Sequence, residues 1–326
     1  MHRIALLAAI VSGCATPPPG ALEAVGPALP AALLEAGASV EEAASVSFNE
    51  GPAADAEGAV YFTEIAGNRI LKYLADGSFT EFRKPSRRAN GLAFDAEGRL
   101  VACEGGGRQV TRTDLASGEL EVLASEFEGN RLNSPNDLVV AKNGRIYFTD
   151  PRYGDQSGRE IETEDVYMIE TDGSMTRVAT KPDIAKPNGI ALSPDQKTLY
   201  LADTQPGPPR EARVIAFRVN DDGTLSEPQA IYSFGQGRGV DGMAIDLEGN
   251  LYGAAGNASN SPENATGVYV ISPAGKLLGM IPVPEDAVTN CNFGGPELKT
   301  LFITAGKKLL KIRTKNSGFL VYPPLS

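Results

Sequence analysis

Histidine is nearly absent from this chain. His2 is the single histidine among 326 residues, and it lies in an N-terminal segment that we expect to be removed. The mature chain would then contain no histidine. This excludes a Ser-His-Asp triad and a histidine-based dyad, so Ser134 and Ser193 are not credible nucleophiles.

Cysteine is also scarce, at three residues, and there is no CxxC pair or Cys/His cluster. Thiolate metal sites are therefore excluded. Cys103 and Cys291 lie in strand-like segments of different repeats. A disulfide is permitted outside the cytoplasm, but this placement favours two small buried side chains.

Positive charge is the third deficit. The formal net charge is −11 and no run of Lys or Arg occurs, which argues against nucleic acid or anionic lipid as a partner. A small-molecule partner is expected instead, and the acidity suits a site for a cation. The oligomeric state is left open by the sequence.

The N-terminus has the features of an export signal. A basic start precedes an apolar run over residues 4–11, which is too short to span a bilayer. Residues 11–14, Val-Ser-Gly-Cys, resemble a bacterial lipobox, so residues 1–14 are predicted to be a signal with lipid attachment on Cys14. The alternative is an ordinary secretory signal. Residues 15–38, rich in Pro, Ala and Gly, are predicted to be a tether, and the location is periplasmic or otherwise extracytoplasmic.

Helical periodicity is nearly absent after residue 45, and one pattern recurs six times instead. In each copy a polar residue opens a short apolar strand, a polar turn follows, and a second strand begins. The opening residues lie 40 to 53 residues apart and all carry a side-chain oxygen: Glu50, Asn90, Asn136, Asn188, Asp241 and Asn290. Repeats of this length with four short strands each are typical of propeller blades.

We therefore predict an all-β fold for residues 39–326, a six-bladed β-propeller with four-stranded antiparallel blades around a central channel. A sandwich would not repeat its register six times. The segment 40–48 is expected to complete the outer edge of the last blade, which would remove an exposed strand edge.

The innermost strand of each blade lines the channel, so the six opening residues should converge at one mouth. Three long loops should wall the same side, at residues 151–164, 204–212 and 256–266. Tyr153 and Arg152 lie on the first of these loops and could contact a substrate, although a solvated position is favoured. Four acidic residues that end second strands are interpreted as scaffold: Glu64, Glu104, Asp150 and Asp203.

Two carboxylates and several amides form an oxygen-only ligand set. Such a set suits one divalent cation, with Ca²⁺ first, Mg²⁺ and Mn²⁺ next, and Zn²⁺ a poorer match because zinc usually recruits nitrogen or sulfur. The alternative is that the Asn-Gly and Asp-Gly pairs are only turn residues. Glu50 and the non-glycine neighbours Asp137 and Cys291 favour the site.

Several motifs resemble one known family, the gluconolactonase, senescence marker protein and luciferin-regenerating-enzyme group of six-bladed propellers. The motifs are Asn49-Glu50-Gly51-Pro52, Ser134-Pro135-Asn136-Asp137-Leu138, Tyr147-Phe148-Thr149-Asp150-Pro151, Lys186-Pro187-Asn188-Gly189-Ile190, Val240-Asp241-Gly242-Met243 and Thr289-Asn290-Cys291-Asn292-Phe293.

The resemblance implies a metal site and a substrate pocket. Glu50, Asn188 and Asp241 would hold one divalent ion, and Asn136 would bind the metal or the substrate beside it. Asp137, Asn90 and Asn290 would line the pocket. The family's substrate-binding arginine is replaced here by Ser134, and Arg131 is a candidate substitute.

The resulting hypothesis is a metal-dependent hydrolase of sugar lactones or related lactones. The ion would polarise the lactone carbonyl and a water molecule, and Asp241 would act as general base. Two alternatives stay open: an organophosphate or ester hydrolase that uses the same site, and a propeller that binds a ligand without catalysis.

The lipobox yields a direct test of location. Replacing Cys14 with Ala should release the protein from the membrane fraction, because the acyl anchor needs the cysteine sulfur. Fractionation of cells that express each form measures this. A wild-type protein already found in the soluble fraction would contradict the lipobox interpretation.

Overall fold

The computed structural model describes residues 33–256 and 265–324. The signal with Cys14 and most of the predicted tether lie outside the described residues, as does the middle of the third predicted loop, residues 257–264. Among the described residues, no helix has the length and apolar composition needed to cross a membrane.

The described chain is built almost entirely of short strands. In chain order the strands of the first half are β1 (Glu41–Ser45), β2 (Asn49–Ala54), β3 (Val60–Glu64), β4 (Arg69–Tyr73), β5 (Phe79–Arg83), β6 (Ala89–Phe94), β7 (Leu100–Glu104), β8 (Gln109–Thr113), β9 (Leu120–Ala124), β10 (Glu126–Phe127), β11 (Asn130–Arg131), β12 (Leu138–Val140), β13 (Ile146–Asp150), β14 (Asp165–Ile169) and β15 (Met175–Ala179).

The second half continues the same pattern. Its elements are β16 (Pro187–Leu192), β17 (Thr198–Gln205), β18 (Glu211–Val219), β19 (Leu225–Ser233), β20 (Val240–Ile245), β21 (Leu251–Ala255), β22 (Gly267–Ile271), β23 (Leu277–Pro282), β24 (Val288–Gly294), a short 3₁₀ helix (Pro296–Leu298), β25 (Thr300–Ala305) and β26 (Lys308–Arg313).

These strands form six four-stranded antiparallel sheets, and β10 pairs separately with β11 in a small hairpin. The inner strands contact one another in a closed circle, in the order β2, β6, β12, β16, β20, β24 and back to β2. The six-bladed propeller is therefore confirmed. The predicted closure is confirmed too, since β1 pairs antiparallel with β26 as the outermost strand of the sixth blade.

The hydrophobic core lies between neighbouring blades. Second strands such as β3, β7 and β13 are buried along their whole length, because each of their faces packs against a sheet. Aromatic residues join the blades, as where the rings of Tyr252 and Phe293 meet edge to face with centroids 5.0 Å apart. Cys103 and Cys291 are buried free thiols in this core, as predicted.

Two boundaries differ from the sequence prediction. Residues 33–38 were assigned to the tether, yet Leu33 packs into the core and Leu34 pairs with Thr314. The Pro- and Ala-rich composition of this segment does not indicate these contacts, because the partners, such as Thr314, lie near the other end of the chain. The predicted loop 204–212 is shorter than expected, since β17 and β18 extend as a paired hairpin to Gln205 and Glu211.

The C-terminal segment closes the end of the channel opposite the opening residues. The amide of Phe319 donates to the carbonyl of Ile245, at the far end of β20 (2.9 Å). Tyr322 reaches the far end of β6, where its ring lies 5.7 Å from that of Phe94. Residues 319–322 and the inner strands together line a channel cavity of about 90 Å³. The channel is thus accessible chiefly from the other mouth.

Candidate functional site

A β-bulge recurs where the inner strands begin. The register of β2, β6, β16, β20 and β24 against their second strands is interrupted at or beside the opening residue. The interruption includes the opening residue in β6, β16 and β20, follows Glu50 in β2, and precedes Asn290 in β24. A bulge bends the strand and re-aims a side chain. The opening residues are thereby turned toward the mouth rather than continuing the alternation of the sheet.

The glycines that follow these residues are required by close approach between blades, not by turns. A Cβ on Gly189 would lie 2.3 Å from the carbonyl oxygen of Asp241, and one on Gly242 would lie 2.1 Å from the side chain of Asn290. Gly51 and Gly91 face the next blade in the same way. The turn interpretation of the Asn-Gly and Asp-Gly pairs is therefore wrong, because these pairs lie in strands at the channel.

Five of the predicted residues and one further residue form a connected polar group at the mouth, which we term the mouth cluster. Its members are Glu50, Asp137, Asn188, Arg238, Asp241 and Asn290. Asn188 Nδ2 donates to Asp241 Oδ1 at 2.5 Å, and Arg238 Nη2 donates to Asp241 Oδ2. Both oxygens of this carboxylate are therefore held by donors.

Burial makes the acids of the mouth cluster costly to ionise. Glu50 is 5% exposed, and burial followed by the negative charge of Asp241 raises its pKa well above the ordinary value. Burial also raises the pKa of Asp241, although Arg238 and Asn188 oppose this. Glu50 and Asp241 thus both interact with the guanidinium of Arg238.

Asp137 lies across the channel from Asn290. Asn290 Nδ2 is 3.5 Å from Asp137 Oδ2, although the two residues come from blades three and six on opposite sides of the axis. Burial raises the pKa of Asp137 to about 7. This pair narrows the channel beneath the mouth, and both residues also line the channel cavity.

The mouth cluster fits a hard divalent cation by its donor chemistry. Among the described residues, no group of three His, Cys, Asp or Glu side chains forms a metal site by itself. The predicted set has a different composition, because it combines Glu50 and Asp241 with the amide of Asn188. A half-turn of that amide would exchange its nitrogen for an oxygen. A cation would also relieve the repulsion that raises the pKa of Glu50.

For the other predicted residues, the described contacts include no side-chain bond to the mouth cluster. Asn90 and Asn136 are half-buried at the inner-strand positions, and their described contacts are made by the backbone, including Gly91 N to Asn136 O at 2.8 Å. Arg131 lies exposed in β11, where it contacts Gly107 O and, through its amide, Glu160. No contact in the described chain joins Arg131 to the mouth cluster.

The loop 151–164 forms one wall of the mouth. The ammonium of Lys186 lies 4.6 Å from the ring centre of Tyr153. Tyr153 is 47% exposed, in line with the solvated position that the sequence favours. Burial by the surrounding loop and then the negative charge of Asp241 raise its pKa, so the ring lies near the mouth. Arg152 instead shapes the loop by donating to the carbonyls of Asn133, Asp155 and Ser157.

The four acids that end second strands are structural, as interpreted from the sequence. Asp150 accepts the amides of Asn133 and Ser134, both at 2.7 Å. Asp203 accepts the amides of Ala185 and Lys186. Each acid thereby fixes the segment that leads into an inner strand. Glu64 and Glu104 pair with Arg69 and Arg83.

Arg238 is the mouth residue that the sequence analysis missed. It precedes Asp241 by three residues in Arg-Gly-Val-Asp-Gly, and a basic residue so close to a candidate ligand is the signal that could have identified it. Nη1 of Arg238 also donates to Gly256 O at 3.2 Å and to Val288 O at 2.6 Å. The guanidinium therefore joins blades five and six beside the acids.

A six-bladed propeller with carboxylates and amides gathered at one mouth of the channel defines the class of this protein. Residues 48–307 match the model of the SMP-30/Gluconolactonase/LRE-like region. The chain therefore belongs to that family, and the resemblance read from its motifs is confirmed.

Relatives and solved structures cover nearly the whole chain. A gluconolactonase of Zymomonas mobilis is 29% identical over 315 residues, which cover 88% of this chain and 84% of the relative. A pentonolactonase of Haloferax volcanii is 25% identical, over 75% and 76% of the two chains. The structure of a gluconolactonase from Xanthomonas campestris aligns with a TM-score of 0.78 and 33% identity, over 90% and 96% of the two chains.

The close approach at Gly189 can be tested by adding one methyl group. Gly189→Ala should lower the free energy of unfolding by about 1–3 kcal/mol, because the inner strand of blade five must move away. Urea unfolding measures the change. Gly207→Ala is the matched control, since a Cβ at Gly207 would meet no atom within 4 Å and the residue has no left-handed φ. Equal stability of the two variants would contradict the close approach.

Proposed function

We propose that this protein is a metal-dependent lactonase that opens sugar lactones or related lactones. The observation that carries the proposal is the convergence of Glu50, Asn188 and Asp241 at the mouth of the channel. The relatives support the reaction class, because those from Zymomonas and Haloferax are described as a gluconolactonase and a pentonolactonase.

The proposed ion is Ca²⁺, with Mg²⁺, Mn²⁺ or Zn²⁺ as alternatives, because the donors are carboxylate and amide oxygens. Glu50, Asn188 and Asp241 would hold it, and Asn136 is the candidate for a further ligand. When bound, the ion supplies Lewis-acid polarisation of the lactone carbonyl.

The remaining chemistry belongs to side chains of this protein. Asp241 accepts a proton from the attacking water through its carboxylate. Burial raises the pKa of this group in the protein without an ion. In the protein without an ion, the Asn188 amide and the Arg238 guanidinium hold this carboxylate at the mouth.

Substrate recognition is assigned to the walls and floor of the mouth. Asn90 and Asn136 would donate to ring hydroxyls, and Tyr153 would offer a face to the sugar ring. Asp137 and Asn290 close the channel below, which keeps the lactone near the acids. Export and an anchor on Cys14 remain part of the proposal, and they would place this reaction outside the cytoplasm.

The role of Asp241 is tested by an isosteric change. Asp241→Asn should lower turnover of glucono-1,5-lactone by about 100-fold or more, the usual contribution of a general base. Circular dichroism should show an intact propeller. The initial rate of acid release, followed with a pH indicator, measures the loss.

Asp246→Asn is the matched control for this variant. Asp246 is a buried aspartate directly after the same strand, at the opposite end, where it accepts hydrogen bonds from Asn250 and Asn316. This variant should keep most of the turnover. Activity that survives in Asp241→Asn, or falls equally in both variants, would remove Asp241 from the proposed role.

A further inference from the structure

Arg238 occupies an unusual place for a cation. Its guanidinium contacts Asp241 Oδ2, one oxygen of a carboxylate that is proposed to bind a divalent ion. The other oxygen of that carboxylate is held by Asn188. An ion that binds this aspartate must therefore displace a donor or lie next to a positive charge.

The guanidinium also has partners that it can keep without Asp241. Its Nη1 donates to the backbone carbonyls of Gly256 and Val288. Carbonyl oxygens are good acceptors for a charged donor. Arg238 can thus release the carboxylate without becoming an unpaired buried charge.

Other basic side chains at the mouth are engaged elsewhere. Lys186 pairs with Glu164 and donates to the carbonyl of Arg152. Arg152 donates to three backbone carbonyls in and beside its own loop. Within the part of the chain that is described, the ion pairs of Asp241 are made by Arg238.

We infer that Arg238 is a resident counter-ion that competes with the divalent cation for Asp241. The inference rests on the proposed function and extends it to control of metal occupancy. With no ion present, the guanidinium neutralises Asp241 and stabilises the packed mouth. When an ion binds, the guanidinium withdraws to the carbonyls of Gly256 and Val288. Arg238 is thus a positioning residue that sets metal affinity.

Calcium titration of the chelator-treated protein tests this competition. Arg238→Gln removes the charge and keeps a hydrogen-bond donor. The dissociation constant for Ca²⁺, measured by calorimetry, should fall about tenfold or more, since unit charges a few ångströms apart in a partly buried site interact strongly. Arg238→Lys keeps the charge, so its dissociation constant for Ca²⁺ should remain within about threefold of the wild-type value.

Arg213→Gln is the matched control. Arg213 is similarly exposed, at 19% against 23% for Arg238, and pairs with the buried Asp203 in blade four. Its described contacts are with Asp203 and the carbonyl of Asp183, and none joins it to the acids of the mouth cluster. Its loss should leave the affinity for Ca²⁺ unchanged. In chelator, Arg238→Gln should unfold at a lower temperature than the wild type, and Ca²⁺ should raise that temperature by more than it does in the wild type.

The possible results separate the inference from the proposed function. An affinity in Arg238→Gln that equals or falls below that of the wild type overturns the inference, whereas the function stands if the wild type binds Ca²⁺ and hydrolyses the lactone. If Arg238→Gln binds Ca²⁺ and the wild type does not, the result supports the inference. If neither protein binds Ca²⁺ or Mn²⁺, both the competition and the proposed ion are wrong.

Discussion

The close approach of six inner strands around one axis is the constraint on which the rest of the structure depends. Four of the six opening residues are followed by a glycine, and a Cβ at any of these glycines would meet the backbone or side chain of the next blade at 2.1–2.3 Å. This approach brings acids from separate blades close enough to interact. The channel becomes narrow enough for Asp137 and Asn290 to meet across it. Architecture and site therefore have the same physical origin.

The electrostatics of the mouth follow from that crowding. Water is largely excluded from Glu50, and its pKa is raised by burial and by the charge of Asp241. Buried acids avoid mutual repulsion by taking up a proton or by pairing with a cation. Among the described residues, Arg238 is the cation that pairs with Asp241, and the proposed divalent ion would add to this compensation. In the protein without an ion, Arg238 therefore stabilises the mouth cluster.

Much of the fold could be predicted because its cause is local and repeated. The polar opening residue, the apolar strand and the turn recur six times. Each copy therefore supports the assignment of the other copies as blades. Counting strands predicted that the segment before Glu50 completes the sixth blade, and β1 does pair with β26. The gathering of Glu50, Asn188 and Asp241 followed from placing equivalent positions on one axis.

The remaining features depend on contacts between residues far apart in the chain. The length of the hairpin between β17 and β18 is set by pairing rather than composition. Leu33 joins the core through the last blade. Arg238 belongs to no repeat, and its role appears only when Asp241, Gly256 and Val288 are brought together. Periodicity cannot reveal such contacts, because each occurs once.

The most direct test of the account is hydrolysis of glucono-1,5-lactone by the purified mature domain before chelation, after chelation, and after Ca²⁺, Mg²⁺, Mn²⁺ or Zn²⁺ is added back. We predict that turnover is lost with the chelator and restored by Ca²⁺ or by one of the other ions. Turnover that persists after complete removal of divalent ions would contradict the account. So would a protein loaded with an ion that leaves this lactone and related lactones intact.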